Sequence, residues 1–150
     1  MDKGDFAQWM QREHERVDEL VQIVREKLII PPAGQRGAWL VELQDRFDHL
    51  RAHMIKHMSM EEEGGYLAPI LERRPTLSGQ VETLRNEHRE FIQILGYIHR
   101  ELHEAAPEDG LLIRDACERI HNCLSYLESH EQKETLLVFS VFTLDMGDRD

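Results

Sequence analysis

Residues 47–61 read FDHLRAHMIKHMSME, and this stretch decides how the rest of the chain is interpreted. Its apolar residues recur three and four positions apart, which is typical of one face of an amphipathic helix. The stretch ends in the pattern His57-x-x-x-Glu61, and the same pattern returns at His130-x-x-x-Glu134. Residues four apart on a helix lie one above the other, roughly 6 Å apart. An imidazole and a carboxylate so placed can bind one metal ion or bridge to a second.

The same alternating spacing runs along four segments of the chain and predicts four amphipathic helices. Proline lacks the N–H and its ring clashes with the preceding turn, so a proline pair ends a helix, and glycine commonly follows a helix C-terminus. The first helix is predicted to begin near Asp5 and to end at Pro31-Pro32, which a loop to Gly37 follows. The second is predicted to end at Gly64-Gly65, and the third to begin near Thr76 or Ser78. A turn from Ala105 to Gly110 leads into the fourth helix, with Asp109 as its N-cap.

Helices of similar length joined by short connections predict an all-α fold, an antiparallel up-down-up-down four-helix bundle. By its length the chain is one domain, residues 1–150. Two segments are expected to lie outside the four helices. The connection from Tyr66 to Gly79 is expected to fold Tyr66, Leu67, Ile70 and Leu71 back over the bundle end, and the polar tail from Asp145 to Asp150 is expected to fray.

The composition restricts the partners of this chain. A formal net charge of −11 argues against nucleic acid or an anionic membrane as the main partner, because both need clustered Lys and Arg. The longest apolar run, Leu136 to Leu144, is half the length of a membrane helix. The N-terminus has no signal-peptide hydrophobic region, so we expect a cytoplasmic protein. Cys117 and Cys123 fit neither a disulfide framework nor a zinc motif and are interpreted as small buried hydrophobic residues.

Six residues occupy core positions of the helical pattern without being apolar, and an antiparallel bundle brings all six to one end: His14, His57, Glu61, His88, His130 and Glu134. A buried carboxylate costs several kcal/mol unless it is paired or metal-bound. Two carboxylates and four imidazoles at one level of a core therefore require cations, and two divalent or trivalent ions would make them a ligand set. The other five histidines miss the pattern: His49, His53, His99, His103 and His121.

Each of the six residues has a plainer alternative when it is considered alone. A core histidine can be satisfied by hydrogen bonds, and a glutamate near a helix end can extend to solvent. His53, one turn before His57, either flanks the site or adds a ligand, and Glu62 is an alternative carboxylate if the helix is distorted. Trp9 and Tyr66 either wall off the metal end or form simple apolar cover.

This combination resembles the hemerythrin-like family, also called the HHE cation-binding domain, over nearly the whole chain. The residues that carry the resemblance are His14, His57-x-x-x-Glu61 followed by Glu62, His88 preceded by Glu87, and His130-x-x-x-Glu134. The resemblance implies a non-haem di-iron centre. The two iron ions would have the histidines as terminal ligands, Glu61 and Glu134 as bridging carboxylates, and an oxo or hydroxo group as a third bridge.

The chain departs from the oxygen-carrying hemerythrins and is similar to the branch with four histidines and two glutamates. Oxygen carriers have His-x-x-x-His on the third helix, whereas here Ile92 lies four residues after His88. Their fourth helix has His-x-x-x-x-Asp, whereas here it has His130-x-x-x-Glu134. The similar branch includes proteins implicated in repairing iron–sulfur centres after nitrosative or oxidative stress, and iron- and oxygen-sensing domains. The missing imidazole is expected to leave a coordination position for water or for a small ligand such as O₂, NO or peroxide.

Three functions are compatible with these residues. The first is a di-iron protein that binds or reacts with O₂, NO or peroxide in a stress response or in iron-centre repair, with or without enzymatic turnover. The second is an iron- or oxygen-sensing module without turnover, in which the apolar run from Leu136 to Leu144, with Phe139 and Phe142, could be a dimer or partner face. The third is a helical scaffold whose polar end binds zinc or nothing.

Overall fold

A computed structural model describes the backbone at residues 3–28, 36–63 and 67–147, and the side chains of residues 7–28, 36–63 and 67–141. Within these ranges the chain is helical and has no strand: α1 (Lys3–Leu28), α2 (Arg36–Glu63), α3 (Leu67–Arg73), a 3₁₀ turn (Pro75–Leu77), α4 (Ser78–Glu104) and α5 (Gly110–Gly147). The all-α prediction is confirmed. The predicted stop at Pro31-Pro32, the cap at Gly64-Gly65, Tyr66 and the side chain of Asp5 lie outside the described residues.

The four long helices form a closed bundle in which α1 contacts α2, α2 contacts α4, α4 contacts α5, and α5 contacts α1. Trp39 Nε1, early in α2, donates to the carbonyl of Lys27 at the end of α1, with an N···O distance of 3.1 Å. Gln44 Nε2, also early in α2, donates to the carbonyl of Leu102 at the end of α4, at 2.7 Å. Helix α2 therefore runs in the direction opposite to both α1 and α4. Among the described residues, no helix combines the length and apolar character needed to cross a membrane.

Two local predictions need revision, and a third, the N-cap at Asp109, holds for the backbone. The connection after α2 contains a helix, α3, which begins two residues before Pro69, where proline is tolerated because first-turn N–H groups have no helical partner. Asp109 directly precedes α5 and its carbonyl accepts from the N–H of Ile113 at 2.9 Å, as expected at the N-cap position, while its side chain accepts from the N–H of Ala106 at 2.9 Å and closes the turn. The tail that we expected to fray from Asp145 is helical as far as Gly147, because α5 simply continues.

Two apolar clusters make up the core, and a polar layer lies between them. Along α4 the polar residue His88 lies between Leu84 of one cluster and Phe91 of the other. Residues of the second cluster come from α1, α3, α4 and α5, and the fully buried Leu67 and Ile70 on α3 are among them. This cluster covers the end of the bundle, as expected for Leu67 and Ile70.

Both cysteines are free thiols. Cys123 is buried in the core, as expected, while Cys117 is only half-buried beside it. Burial raises the pKa of Cys117 to about 11 and that of Cys123 to about 12. These thiols therefore stay protonated at neutral pH, and neither takes part in the polar layer.

Candidate metal centre

The structure brings all six predicted site residues together in the polar layer. Glu61, His88, His130 and Glu134 offer ligand atoms that all lie within 4.8 Å of one another, and so do His14, His57 and Glu134. Glu134 belongs to both groups. Five of the six side chains are at most 1% exposed, and His14 is half-buried. The helices supply the residues as the sequence pattern predicts: one histidine each from α1 and α4, and a His-x-x-x-Glu pair each from α2 and α5.

The nitrogen and oxygen atoms of these residues crowd together at the centre of the layer. His130 Nε2 lies 3.0 Å from His88 Nε2 and 2.6 Å from Glu134 Oε1. Glu61 Oε1 lies 3.0 Å from His57 Nε2 and 3.5 Å from His88 Nε2. Ligand atoms about 2.1 Å from a six-coordinate ion lie roughly 3 Å from their nearest neighbours. The observed spacing therefore suits bound cations.

Two buried atoms of the site residues make no hydrogen bond with any described residue. They are Nε2 of His14 and Oε2 of Glu61. Buried polar atoms in native proteins nearly always have a partner, and leaving one without costs stability. Imidazole and carboxylate are ligands that first-row transition metals accept. Cations at the centre would give each of these atoms a partner, so the residues fit a bound metal.

The four long helices contact one another in the circular order α1, α2, α4, α5. The outer nitrogen, Nδ1, of each site histidine contacts a polar side chain on the preceding helix in this order. Four contacts close this circle: Glu13 Oε2 with His57 Nδ1 at 3.1 Å, Glu62 Oε1 with His88 Nδ1 at 3.4 Å, Glu87 Oε1 with His130 Nδ1 at 2.8 Å, and Thr135 Oγ1 with His14 Nδ1 at 3.1 Å. Partners at the outer nitrogen fix the tautomer and the ring orientation of a metal-binding histidine. In this circle they leave Nε2 directed to the centre.

Comparison with known proteins agrees with this geometry. Residues 5–142 match the family model described as the hemerythrin HHE cation binding domain. The chain belongs to this family. The match includes all six residues of the polar layer, and as an HHE domain the chain is a cation-binding protein. Neither the curated proteins nor the solved structures gave a significant match.

The buried carboxylate Glu61 is ionised in the HHE domain. Burial by itself would raise the pKa of Glu61, but the close imidazoles of His57 and His88 outweigh it and lower that pKa to about 2. Burial also lowers the pKa of His57, yet the carboxylates of Glu61 and Glu13 prevail and raise it above the usual value. In the pair His57–Glu61, the carboxylate of Glu61 therefore stays ionised throughout the neutral pH range.

Two other imidazoles of the HHE domain are held neutral. Burial lowers the pKa of His130 to about 4, although the carboxylate of Glu87 opposes this effect. Burial, followed by the charge on His57, lowers the pKa of His14. A histidine binds metal through its neutral ring. Neutral imidazoles at His14 and His130 and an ionised carboxylate at Glu61 are thus the states that this site already favours at neutral pH, whereas His57, whose pKa is raised, would release its proton on binding a metal.

The structure places both alternative ligands outside the central group. His53 Nε2 lies 3.0 Å from Glu13 Oε2, the oxygen that also contacts His57 Nδ1. Glu62 is exposed and faces His88 Nδ1, on the far side of that ring from the centre. Both residues therefore flank the site and support its histidines from outside.

Aromatic rings border the polar layer. The Trp9 ring stacks on the His57 ring, with 5.7 Å between centroids and 9° between planes. Phe91 meets His130 edge-on, with centroids 5.3 Å apart. Trp9 thus lies against the site, as one of our two interpretations expected, whereas Tyr66 lies outside the described residues.

Sequence reasoning missed Glu13, Thr135 and Glu131. Glu13 and Thr135 each adjoin a predicted ligand, as do Glu62 and Glu87, and this adjacency is the signal that could have identified them. A residue next to a core position is rotated by about 100° on the helix, so it faces the neighbouring helix. Glu131 is 7% exposed, and burial, with the nearby charge of Asp18, raises its pKa to about 9. It is therefore neutral at pH 7.

A groove of about 710 Å³ runs between α1 and α5 and leads to His14. Its walls include Asp18, Glu131 and Thr135. His14 is the only one of the six site residues that is not fully buried. The groove therefore leaves His14 the site residue within reach of solvent.

Proposed function

We propose that this HHE domain holds two iron ions in a non-haem di-iron centre and binds or reacts with O₂, NO or peroxide, in a stress response or in the repair of iron centres. The observation that carries the proposal is the sharing of carboxylates between two groups of ligands. Glu134 belongs to both groups, and Glu61 Oε1 approaches His88 of one group and His57 of the other. Shared carboxylates are what two adjacent cations require.

The ligand chemistry supports iron. The six residues offer imidazole nitrogens and carboxylate oxygens, and no thiolate belongs to either group. Such mixed nitrogen and oxygen ligands suit iron, and the resemblance to di-iron proteins favours iron over the other metals that accept them. Fe(II) bound there would supply electrons and an open coordination position. Four imidazoles and two carboxylates offer fewer atoms than two six-coordinate ions require, which leaves room for a small ligand.

The protein's own residues would control access and protons. Apolar clusters lie on both sides of the polar layer and exclude water. The groove between α1 and α5 admits a small molecule beside His14. The carboxyl group of Glu131, with a pKa of about 9 and Asp18 beside it, can hold a proton at this entrance. A diatomic molecule or a peroxide suits an approach of this kind.

The first test is the metal content of untagged protein from iron-replete cells, measured by elemental analysis. We expect about two irons per chain. The double variant His57→Ala, Glu134→Ala should lose most of this iron, while His121→Ala, an exposed histidine on α5, should keep it. A single zinc, no metal, or full iron in the double variant would each show that the proposed centre is wrong.

The second test distinguishes reaction from simple binding. The iron-loaded protein is reduced without oxygen, and O₂, NO or peroxide is then added while absorbance is recorded. A stoichiometric spectral change that reverses when the ligand is removed indicates binding. Consumption of many equivalents in the presence of reductant indicates turnover. Absence of any spectral change with all three molecules would contradict the proposed reactivity.

The sensing module without turnover has one observation in its favour. Leu136 and Phe139 on α5 are 69% and 62% exposed, and they border a groove with Leu84 and Leu137. This face lies within two turns of Glu134, so it is close enough to respond to the centre. We propose it as a homodimer face. Sedimentation of the iron-loaded and iron-free protein should show a metal-dependent dimer that Leu136→Ser, Phe139→Ser abolishes.

A further inference from the structure

A second group of potential metal ligands lies outside the centre just described. His99 Nδ1 lies 2.7 Å from Asp48 Oδ1, and His103 Nε2 lies 2.7 Å from Asp48 Oδ2. Each carboxylate oxygen of Asp48 thus faces a different imidazole. The two histidine rings have centroids 4.4 Å apart. One carboxylate on α2 and two imidazoles on α4 therefore meet across the interface of these helices.

This group is separate from the di-iron centre. Asp48 precedes His57 by nine residues on α2, which is about 14 Å along the helix axis. His99 follows His88 by eleven residues on α4, which is about 17 Å. Because α2 and α4 are antiparallel, both displacements run towards the same end of the bundle. The two sites therefore have no residue in common.

The residue types and their arrangement favour a cation. Two histidines four apart on one helix face both point to one position, an arrangement that zinc sites use. The ligand atoms of Asp48, His99 and His103 all lie within 4.8 Å of one another. These side chains are 33–41% exposed, so an ion can enter and keep water on its open positions. Two imidazoles and a carboxylate suit a divalent metal such as Zn²⁺.

We propose that Asp48, His99 and His103 form a second metal site. This site binds one divalent first-row transition metal ion such as Zn²⁺ and links α2 to α4. The ion would replace the direct contacts between Asp48 and the two imidazoles with three metal–ligand bonds. Because the ligands come from two helices, binding should stabilise the folded chain. This proposal does not depend on the identity of the metal in the central layer.

The test is a Zn²⁺ titration of the full-length, iron-loaded protein against a competing chromophoric chelator. We expect one saturable zinc per chain beyond the metal already bound. The variant His99→Ala, His103→Ala should weaken this binding by at least about 100-fold, because loss of an outer partner alone costs 10–100-fold. His49→Ala on α2 and His121→Ala on α5, both exposed and outside the group, should bind like the parent. Unchanged zinc affinity in the His99→Ala, His103→Ala variant would overturn the proposal, as would the absence of a saturable extra zinc.

Two further readouts separate this site from the central one. Zn²⁺ should raise the unfolding temperature of the parent and of His49→Ala, but not that of His99→Ala, His103→Ala. The variant His57→Ala, Glu134→Ala should still bind zinc at this site. Zinc binding that disappears in that variant, while its helical content is retained, would place the extra zinc in the central layer and contradict the assignment to Asp48.

Discussion

Glu87 contacts two residues of α5 at once. Its Oε1 lies 2.8 Å from His130 Nδ1 and its Oε2 lies 2.6 Å from Lys133 Nζ. Burial by itself would raise the pKa of Glu87, but Lys133 and His130 lower it, so the carboxylate is ionised at neutral pH. An ionised acceptor at Nδ1 holds the proton there and keeps Nε2 free for a metal. At the scale of single residues, the centre thus depends on side chains that bind no metal themselves.

The first prediction concerns Glu87→Ala. Without this carboxylate the His130 ring loses its fixed orientation, so we expect metal affinity to fall by about 10–100-fold. The fold should persist, because Glu87 is only partly buried. Affinity is measured by competition with a chelator of known strength.

The matched control is Glu90→Ala, an exposed glutamate one turn later on α4. It removes the same charge without touching a histidine of the site. If Glu87→Ala and Glu90→Ala bound metal equally well, the outer contact would have no part in holding the metal.

Among the elements, α3 has a role out of proportion to its seven residues. Leu67 and Ile70 are both fully buried, and they pack in the cluster that contains Met10, Leu137 and Val141. The polar layer would face solvent at this end of the bundle without such a cover. The short helix thus keeps water from the buried carboxylates.

The second prediction concerns Ile70→Ala. Removing this buried side chain leaves a cavity, so the free energy of unfolding should fall by about 2–4 kcal/mol. Leu111→Ala on α5 is the control, because Leu111 is 81% exposed and its loss should change that free energy by about 0.5 kcal/mol or less. Both values come from denaturant unfolding. A cost at Ile70 as small as that at Leu111 would show that α3 does not cover the bundle.

For the molecule as a whole, the polar layer divides the core into two apolar clusters. Packing alone cannot compensate a layer that contains two buried glutamates and four histidines, since ionised groups lose hydration there. A bound cation gives these groups a partner in the folded state only. Metal binding and folding should therefore be linked.

The third prediction is that chelation lowers the thermal stability of the whole domain. At a free metal concentration about 100 times Kd, binding contributes about 2.7 kcal/mol. For a chain of this size that corresponds to a rise in Tm of about 5–10 °C. Calorimetry of metal-loaded and chelator-treated protein measures the difference in Tm. In Glu61→Ala this difference in Tm should be small. Identical Tm values with and without metal would contradict the linkage.

Helix periodicity in the sequence determined the four long helices and the six residues of the polar layer. These follow from local geometry, because the rise and twist of a helix fix which residues share a face. His14 and His88 were found in this way, without any knowledge of the contacts that they make. The pattern could not reveal α3, because a helix of seven residues that contains Pro69 resembles a loop, and burial of Leu67 and Ile70 is what stabilises it.

Only the tertiary structure decided which residues face one another across helices. Glu13 meets His57 from 44 residues away, and Asp48 meets His99 from 51. Such pairs depend on the rotation and axial register of whole helices, which the packing of many distant side chains sets together. The sequence by itself therefore determined a four-helix bundle with a metal-binding layer. The contacts at Nδ1 of each site histidine, and the cluster of Asp48 with His99 and His103, were decided by packing, because no local sequence pattern records the register between two helices.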